Sequence, residues 1–174
     1  EINEGDWSSD VCSSDLKMRR PGRIKRDLWL SQYRKGPTVI YGRLDTMSIF
    51  NEIEHCYVEG IFIATIILSV CFIEHVIVSS LISNKHVSED SRIQLGSAIN
   101  MAKENDLFSH NILDRLKILS MFRNSLVHRK PLDAPNSFRA CFLNENNHPT
   151  WILEKNAKEA IDLNYAFFHA ITEQ

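Results

Sequence analysis

The apolar and polar positions of the chain alternate with a helical period, interrupted at a few polar breaks. Asp45-Thr46 offers an N-cap for a helix running to about Tyr57, and Glu59-Gly60 reads as its end. A strongly apolar helix then spans about Ile61–Ser83. The alternative is one long helix through Gly60, since glycine costs a helix interior only about 1 kcal/mol relative to alanine. Ser83–Asp90 forms a turn, with Ser88 or Asp90 as the next cap. A third helix, about Ser91–Glu104, places Ile93, Leu95, Ile99 and Met101 inward. Asn105–His110 leads to a fourth helix, Asn111–Arg129, with Ile112, Leu116, Leu119, Leu126 and Val127 on one face. Pro131–His148 is rich in Pro and Asn and reads as a loop, with a short extended piece at Phe138–Leu143. A closing helix, about Leu153–Thr172, buries Ala157, Ala160, Ile161, Tyr165, Phe168 and Ile171. No repeat and no strand-period segment interrupts this pattern, so the expected fold is all-α, a bundle of four to five helices.

Two residues break the pattern. At ~100° per residue, Arg123 falls in the centre of the apolar stripe of the fourth helix, where a leucine belongs. A guanidinium keeps its charge in a protein, so it needs a partner when buried. Glu74 is the only acid between Gly60 and Val87 and sits in a helix that is apolar nearly all round. Together they suggest a bidentate Glu74–Arg123 pair. That pair either fixes helix register alone or also leaves spare N–H donors facing a cleft. Asn124 and His128 share a neighbouring face four residues apart. Pro131 disfavours helix at Lys130, which puts His128 in or just past the last turn. There it is either an ordinary C-capping histidine or a proton-transfer group, with a reference pKa of about 6.5 suited to neutral pH. The helix dipole would favour its cationic form, and Arg129 and Lys130 could offset the repulsion the same dipole exerts on a phosphate.

Arg123-Asn124-Ser125-Leu126-Val127-His128 resembles the Arg-x4-His signature of the HEPN superfamily, small all-α domains frequent in prokaryotic toxin, antiphage and RNA-processing systems. The pattern covers roughly Asp45–Gln174, and only the hexamer is specific. The resemblance implies a HEPN-like domain acting as a metal-independent endoribonuclease, cytoplasmic, homodimeric, with RNA as substrate and, in a toxin setting, an antitoxin partner. His128 would act as general acid/base for attack of a ribose 2′-OH on the adjacent phosphate. Arg123 would stabilise the crowded phosphoryl group, and Asn124 would orient the imidazole or the phosphate. Glu74 would support Arg123, and Arg129 and Lys130 would bind RNA. Arg123 and His128 lie roughly 140° apart around one helix, so two facing copies present them better than one. The rival reading is a non-catalytic HEPN-like module that binds RNA or protein and uses Glu74–Arg123 as scaffold.

Composition changes this picture in three places. Asp6–Leu16, DWSSDVCSSDL, resembles a translated sequencing-library adapter, so Glu1–Leu16 is set aside and the native start is expected to be missing. Those residues hold five acids and no Lys or Arg; the remaining 17 acids face 20 bases, so the formal charge moves from −2 to +3. Second, Lys17–Leu44 is a basic arm with Trp29, Tyr33 and Tyr41 interleaved, and a short helix at Asp27–Tyr33 ending before Gly36-Pro37. It either tracks a phosphate backbone with its aromatics stacked on bases or packs those aromatics on the domain. Third, Cys56, Cys71 and Cys141 show no metal-ligand or disulfide spacing and read as reduced thiols, with Cys71 a small core residue. No metal or cofactor is expected. Ile61–Ile73 is short for a membrane span, which needs about 20 apolar residues, and Glu74-His75 interrupts its extension.

Overall fold

The structure is a computed structural model of the 174-residue chain and describes residues 20–34, 44–131, 134 and 137–172. The adapter-like segment, part of the basic arm including Tyr41, the Gly36-Pro37 break and Pro135 lie outside the described residues. Among the described residues all regular structure is helical: α1 (20–30), α2 (Leu44–Glu59), α3 (Phe62–Ser83), α4 (Leu95–Glu104), α5 (His110–Val127), α6 (Phe138–Glu145) and α7 (Pro149–Thr172).

The most apolar helix, α3, runs through the centre, with α2 and α7 packed along it and α4 and α5 covering the remainder of its inner side. Ile66, Val70, Ile73 and Ile77 of α3 are fully buried, as are Leu113 and Leu116 of α5 and Ala157, Ala160 and Phe167 of α7. By length and composition α3 could cross a membrane, but half of its apolar window is buried inside the fold.

Gly60 separates α2 from α3. Its φ is +79°, with the Gly60 N–H donating to Tyr57 O and the Ile61 N–H to Cys56 O, a Schellman end. Lys85 after α3 (φ 61°) and Asp106 after α4 (φ 52°) close their helices with the same bond pattern, without glycine. A left-handed backbone costs an L-residue about 1–2 kcal/mol, so these two ends are strained where Gly60 is not.

Helix α1 is a docked element. Leu30 is fully buried, Trp29 lies 5.1 Å from Tyr57, and Tyr33 stacks on Tyr165 at 4.7 Å. Arg26 Nε donates to Val58 O at 2.8 Å, and its guanidinium sits 5.7 Å from the Phe62 ring centre. Arg23 pairs with Glu59 at 2.6 Å, and Arg34 with Asp27 and Glu54, each at 2.9 Å. Arg23, Arg26 and Arg34 therefore spend their charge on the α2 C-terminal end and neighbouring carboxylates.

Other boundaries shift for local reasons. Residues 20–30 are helical upstream of the expected Asp27–Tyr33 segment. Helix α4 starts at Leu95 instead of Ser91, because Ser88 and Ser91 bond each other at 2.8 Å in the preceding turn. Ala98, Ile99 and Ala102 are its buried residues, with Ile93, Leu95 and Met101 at the core edge. The expected extended piece at Phe138–Leu143 is instead helical. Ser137 Oγ accepts from the Ala140 N–H at 3.0 Å at one end of α6, and Asn146 takes a left-handed φ of 47° at the other. Helix α7 begins earlier than Leu153, at Pro149, which a first-turn position tolerates, and His148 Nδ1 accepts from the Thr150 N–H.

Two predictions follow from the helix ends and the tyrosines. Lys85→Gly should raise stability by about 0.5–1 kcal/mol and Gly60→Ala should lower it by about 1–2 kcal/mol in urea melts, because only the first relieves a left-handed backbone. Burial, followed by the hydrogen bond donated to Asp162, pushes the Tyr33 phenol up to about 12. Burial likewise raises Tyr57 and Tyr165, the latter also bonded to Glu54. The folded state thus holds these protons more tightly than the unfolded chain, so stability should fall as pH rises from 10 through 12. At pH 11 the folded protein should show far less tyrosinate absorbance than its four tyrosines give after unfolding.

Candidate functional site

The hexamer occupies the C-terminal end of α5. Ser109 opens that helix by accepting from the Ile112 N–H at 3.5 Å. Leu113, Leu116, Leu119 and Phe122 are its buried residues, with Ile112 and Leu126 half-buried beside them. Val127, expected inside, is 47% exposed, because the helix outruns the core in its last turn. His128 caps the helix in an extended conformation, its N–H donating to Asn124 O at 3.0 Å. Its side chain is exposed, as are Arg129 and Lys130, while Arg123 and Asn124 are half-buried.

The expected Glu74–Arg123 ion pair is absent. Glu74 is half-buried on α3 and has no ion-pair partner among the described residues, and Arg123 has none either. The Arg123 Nε is buried without a hydrogen-bond acceptor among the described residues. Both charges nonetheless act on the same thiol. Burial raises the Cys71 pKa, Glu74 raises it further, and Arg123 lowers it. Cys71, expected as a small core residue, is only half-buried. Arg123 thus sits on the side of α5 that its spacing indicates, but the acid nearest in the sequence argument does not reach it. An unmet buried donor carries a penalty of about 1–3 kcal/mol, which an acceptor brought by another molecule would relieve.

Glu74 lines a cleft of about 590 Å³ with Cys71, His75, Thr46, Val78 and Ile82. His75 Nδ1 lies 3.4 Å from Thr46 Oγ, tying α3 to the first turn of α2. Among the described residues no three His, Cys, Asp or Glu side chains gather as a metal-ligand set.

Two features of the site region escape a pattern reading. Ser125, inside the hexamer, donates to Phe122 O at 2.7 Å and accepts the Phe138 N–H at 3.0 Å. With the Phe122–Phe138 ring contact at 6.2 Å, it fastens α6 to the motif turn. A serine inside a helix is the signal for such back-bonding. Across α5, Arg115 bonds Glu159 at 2.8 Å and Asp162 at 2.6 Å, and Tyr33 donates to the same Asp162 at 2.9 Å. That network joins the turn after α1 to α5 and α7; nothing in the spacing of Arg115 announces it.

No family model matches the chain, no characterised protein aligns with it significantly, and no solved structure matches it.

Ser125→Ala removes the acceptor of the Phe138 N–H while keeping the helix. It should cost about 1 kcal/mol, and hydrogen exchange at Phe138–Glu145 should accelerate before that of α5 does.

Proposed function

We propose that the chain is a metal-independent endoribonuclease of the HEPN type that works as a homodimer, in a toxin or antiphage setting in the cytoplasm. The observation that carries this reading is the buried, acceptor-less Nε of Arg123, one and a half turns before an exposed imidazole at His128. A guanidinium with unmet donors suits a phosphate oxygen better than it suits a hydrocarbon core.

In the proposed reaction one His128 takes the proton from a ribose 2′-OH. The O2′ attacks the adjacent phosphorus, the P–O5′ bond breaks, and a protonated His128 of the second copy gives its proton to the leaving O5′. Arg123 neutralises the charge that builds on the non-bridging oxygens, and Asn124 orients the ring or the phosphate. Exposed Arg129 and Lys130 hold flanking phosphates. The products carry a 2′,3′-cyclic phosphate and a 5′-OH, and DNA is inert because it lacks the nucleophile.

The rival, a non-catalytic HEPN-like module, invoked Glu74–Arg123 as scaffold within one chain, and the missing in-chain pair weighs against that version. The test is cleavage of single-stranded RNA in EDTA. Wild type should cleave and His128→Ala should lose at least a hundredfold in rate. Equal rates would remove His128 from the mechanism, and no cleavage by either protein would leave the binding-module reading.

A further inference from the structure

Helix α1 brings basic and aromatic residues of the arm onto the bundle, and no step proposed above uses them. It lies along α7, and the two helices enclose a groove of about 460 Å³. Lys25, Trp29 and Tyr33 recur every four residues on the α1 wall, and Trp151, Lys155 and Lys158 line the α7 wall at helical spacing. Each indole carries an ammonium over its ring. Lys158 Nζ lies 5.7 Å from the Trp29 ring centre, and Lys155 Nζ lies 5.3 Å from that of Trp151. Trp29 leans on Tyr57 at the core edge, whereas Trp151 is 48% exposed and has no ring partner among the described residues.

The charges of the groove are unequally spent. Its three carboxylates are matched within the chain, Glu154 by Lys158 at 3.0 Å, and Glu159 and Asp162 by Arg115 at 2.8 and 2.6 Å. Lys25 is exposed and has no carboxylate partner among the described residues. It also lines an adjoining shallow cleft with Arg20, equally exposed and equally without a carboxylate there. Lys155 is paired with Glu145 at 3.0 Å and is exposed as well. A cationic ligand would be repelled by these lysines. An anion with flat apolar faces satisfies both components, because bases stack on an indole whatever their identity and phosphates pair with ammonium groups. We propose that the α1–α7 groove binds single-stranded nucleic acid, with a base stacked on Trp151 and the flanking phosphates on Lys25 and Lys155. The stacking base takes the ring face that Lys155 covers, and the ammonium turns to the strand. Stacking and phosphate pairing ignore the sugar, so DNA and RNA bind alike. Strand binding here goes beyond the nuclease reading, and DNA, inert in that reaction, reports it separately.

The test is fluorescence anisotropy of a labelled thymidine dodecamer (DNA) titrated with the purified full chain at low and moderate salt. Wild type should bind it, with quenching of tryptophan emission. Trp151→Ala should weaken binding about tenfold and Trp151→Phe much less, since only the first removes the stacking face. Lys25→Gln should weaken binding a few-fold and lower the salt slope by about 1. Neither side chain belongs to the core, so both variants should keep the far-ultraviolet circular dichroism of wild type. A dodecamer of abasic sites should bind about tenfold more weakly than its parent. A 2′-O-methyl uridine dodecamer, which resists cleavage, should bind about as tightly as the DNA strand. Absence of binding by wild type, or equal affinity in wild type and both variants, overturns the proposal. So does an abasic strand held as tightly as its parent, which assigns the surface to polyanions at large, or binding of only one of the two sugars. A chain that binds DNA through Trp151 and Lys25 yet cleaves no RNA leaves this site standing and defeats only the nuclease.

Discussion

The constraint on which the structure turns is the covering of α3. A helix apolar around nearly its whole circumference is stable in water only when other elements remove that surface from solvent, at roughly 25 cal/mol for each Å². Helices α2, α4, α5 and α7 bury one side of it, and the break at Gly60 lets α2 fold back along it. Helix α1 closes the other end of the bundle by setting Leu30 into the core and Arg26 against Val58 O and Phe62. The side of α3 that no helix covers among the described residues carries Glu74, and the charge of Arg123 of α5 acts on the neighbouring Cys71 thiol. Glu74 and Arg123, two half-buried charges without an ion-pair partner among the described residues, thus act on one thiol.

That coincidence links packing to chemistry. An arginine whose Nε is buried without an acceptor would cost the single chain stability that a leucine there would not. Its position at the end of α5, beyond the layer of Leu113, Leu116 and Leu119, keeps the rest of the guanidinium near the surface. Ser125 holds α6 against the same turn, so the motif end of α5 is braced on one side while His128 projects on the other. Positioned charge on a rigid helix next to a free imidazole is an arrangement suited to a phosphodiester.

Much of the fold was legible in the spacing of apolar residues, because α2, α3, α5 and α7 are amphipathic or apolar over many turns and end at recognisable breaks. Gly60 was readable since only glycine takes its φ without strain. Lys85 and Asp106 adopt similar backbones for tertiary reasons that their identities do not advertise. Helix α6 was hidden by the prolines and asparagines around it; a Ser137 cap and the packing of Phe138 on Phe122 override that composition. The basic arm was ambiguous by sequence, and packing resolved Trp29 and Tyr33 into the core edge. At the site, angular arithmetic put Arg123 on the correct face. It could not give the distance to Glu74, because spacing along two helices says nothing about their relative slide.

The central claim is that Arg123 Nε lacks an acceptor among the described residues and, in the proposed reaction, acquires one from a second molecule. The Nε–H resonance of Arg123 reports this directly in a nitrogen-15 spectrum followed over protein concentration, with Arg123→Lys used to assign the peak. The account predicts a resonance that shifts and becomes protected from solvent exchange as the chain associates. A resonance that is already protected at the lowest concentration and indifferent to association, or one that exchanges freely throughout, would contradict it.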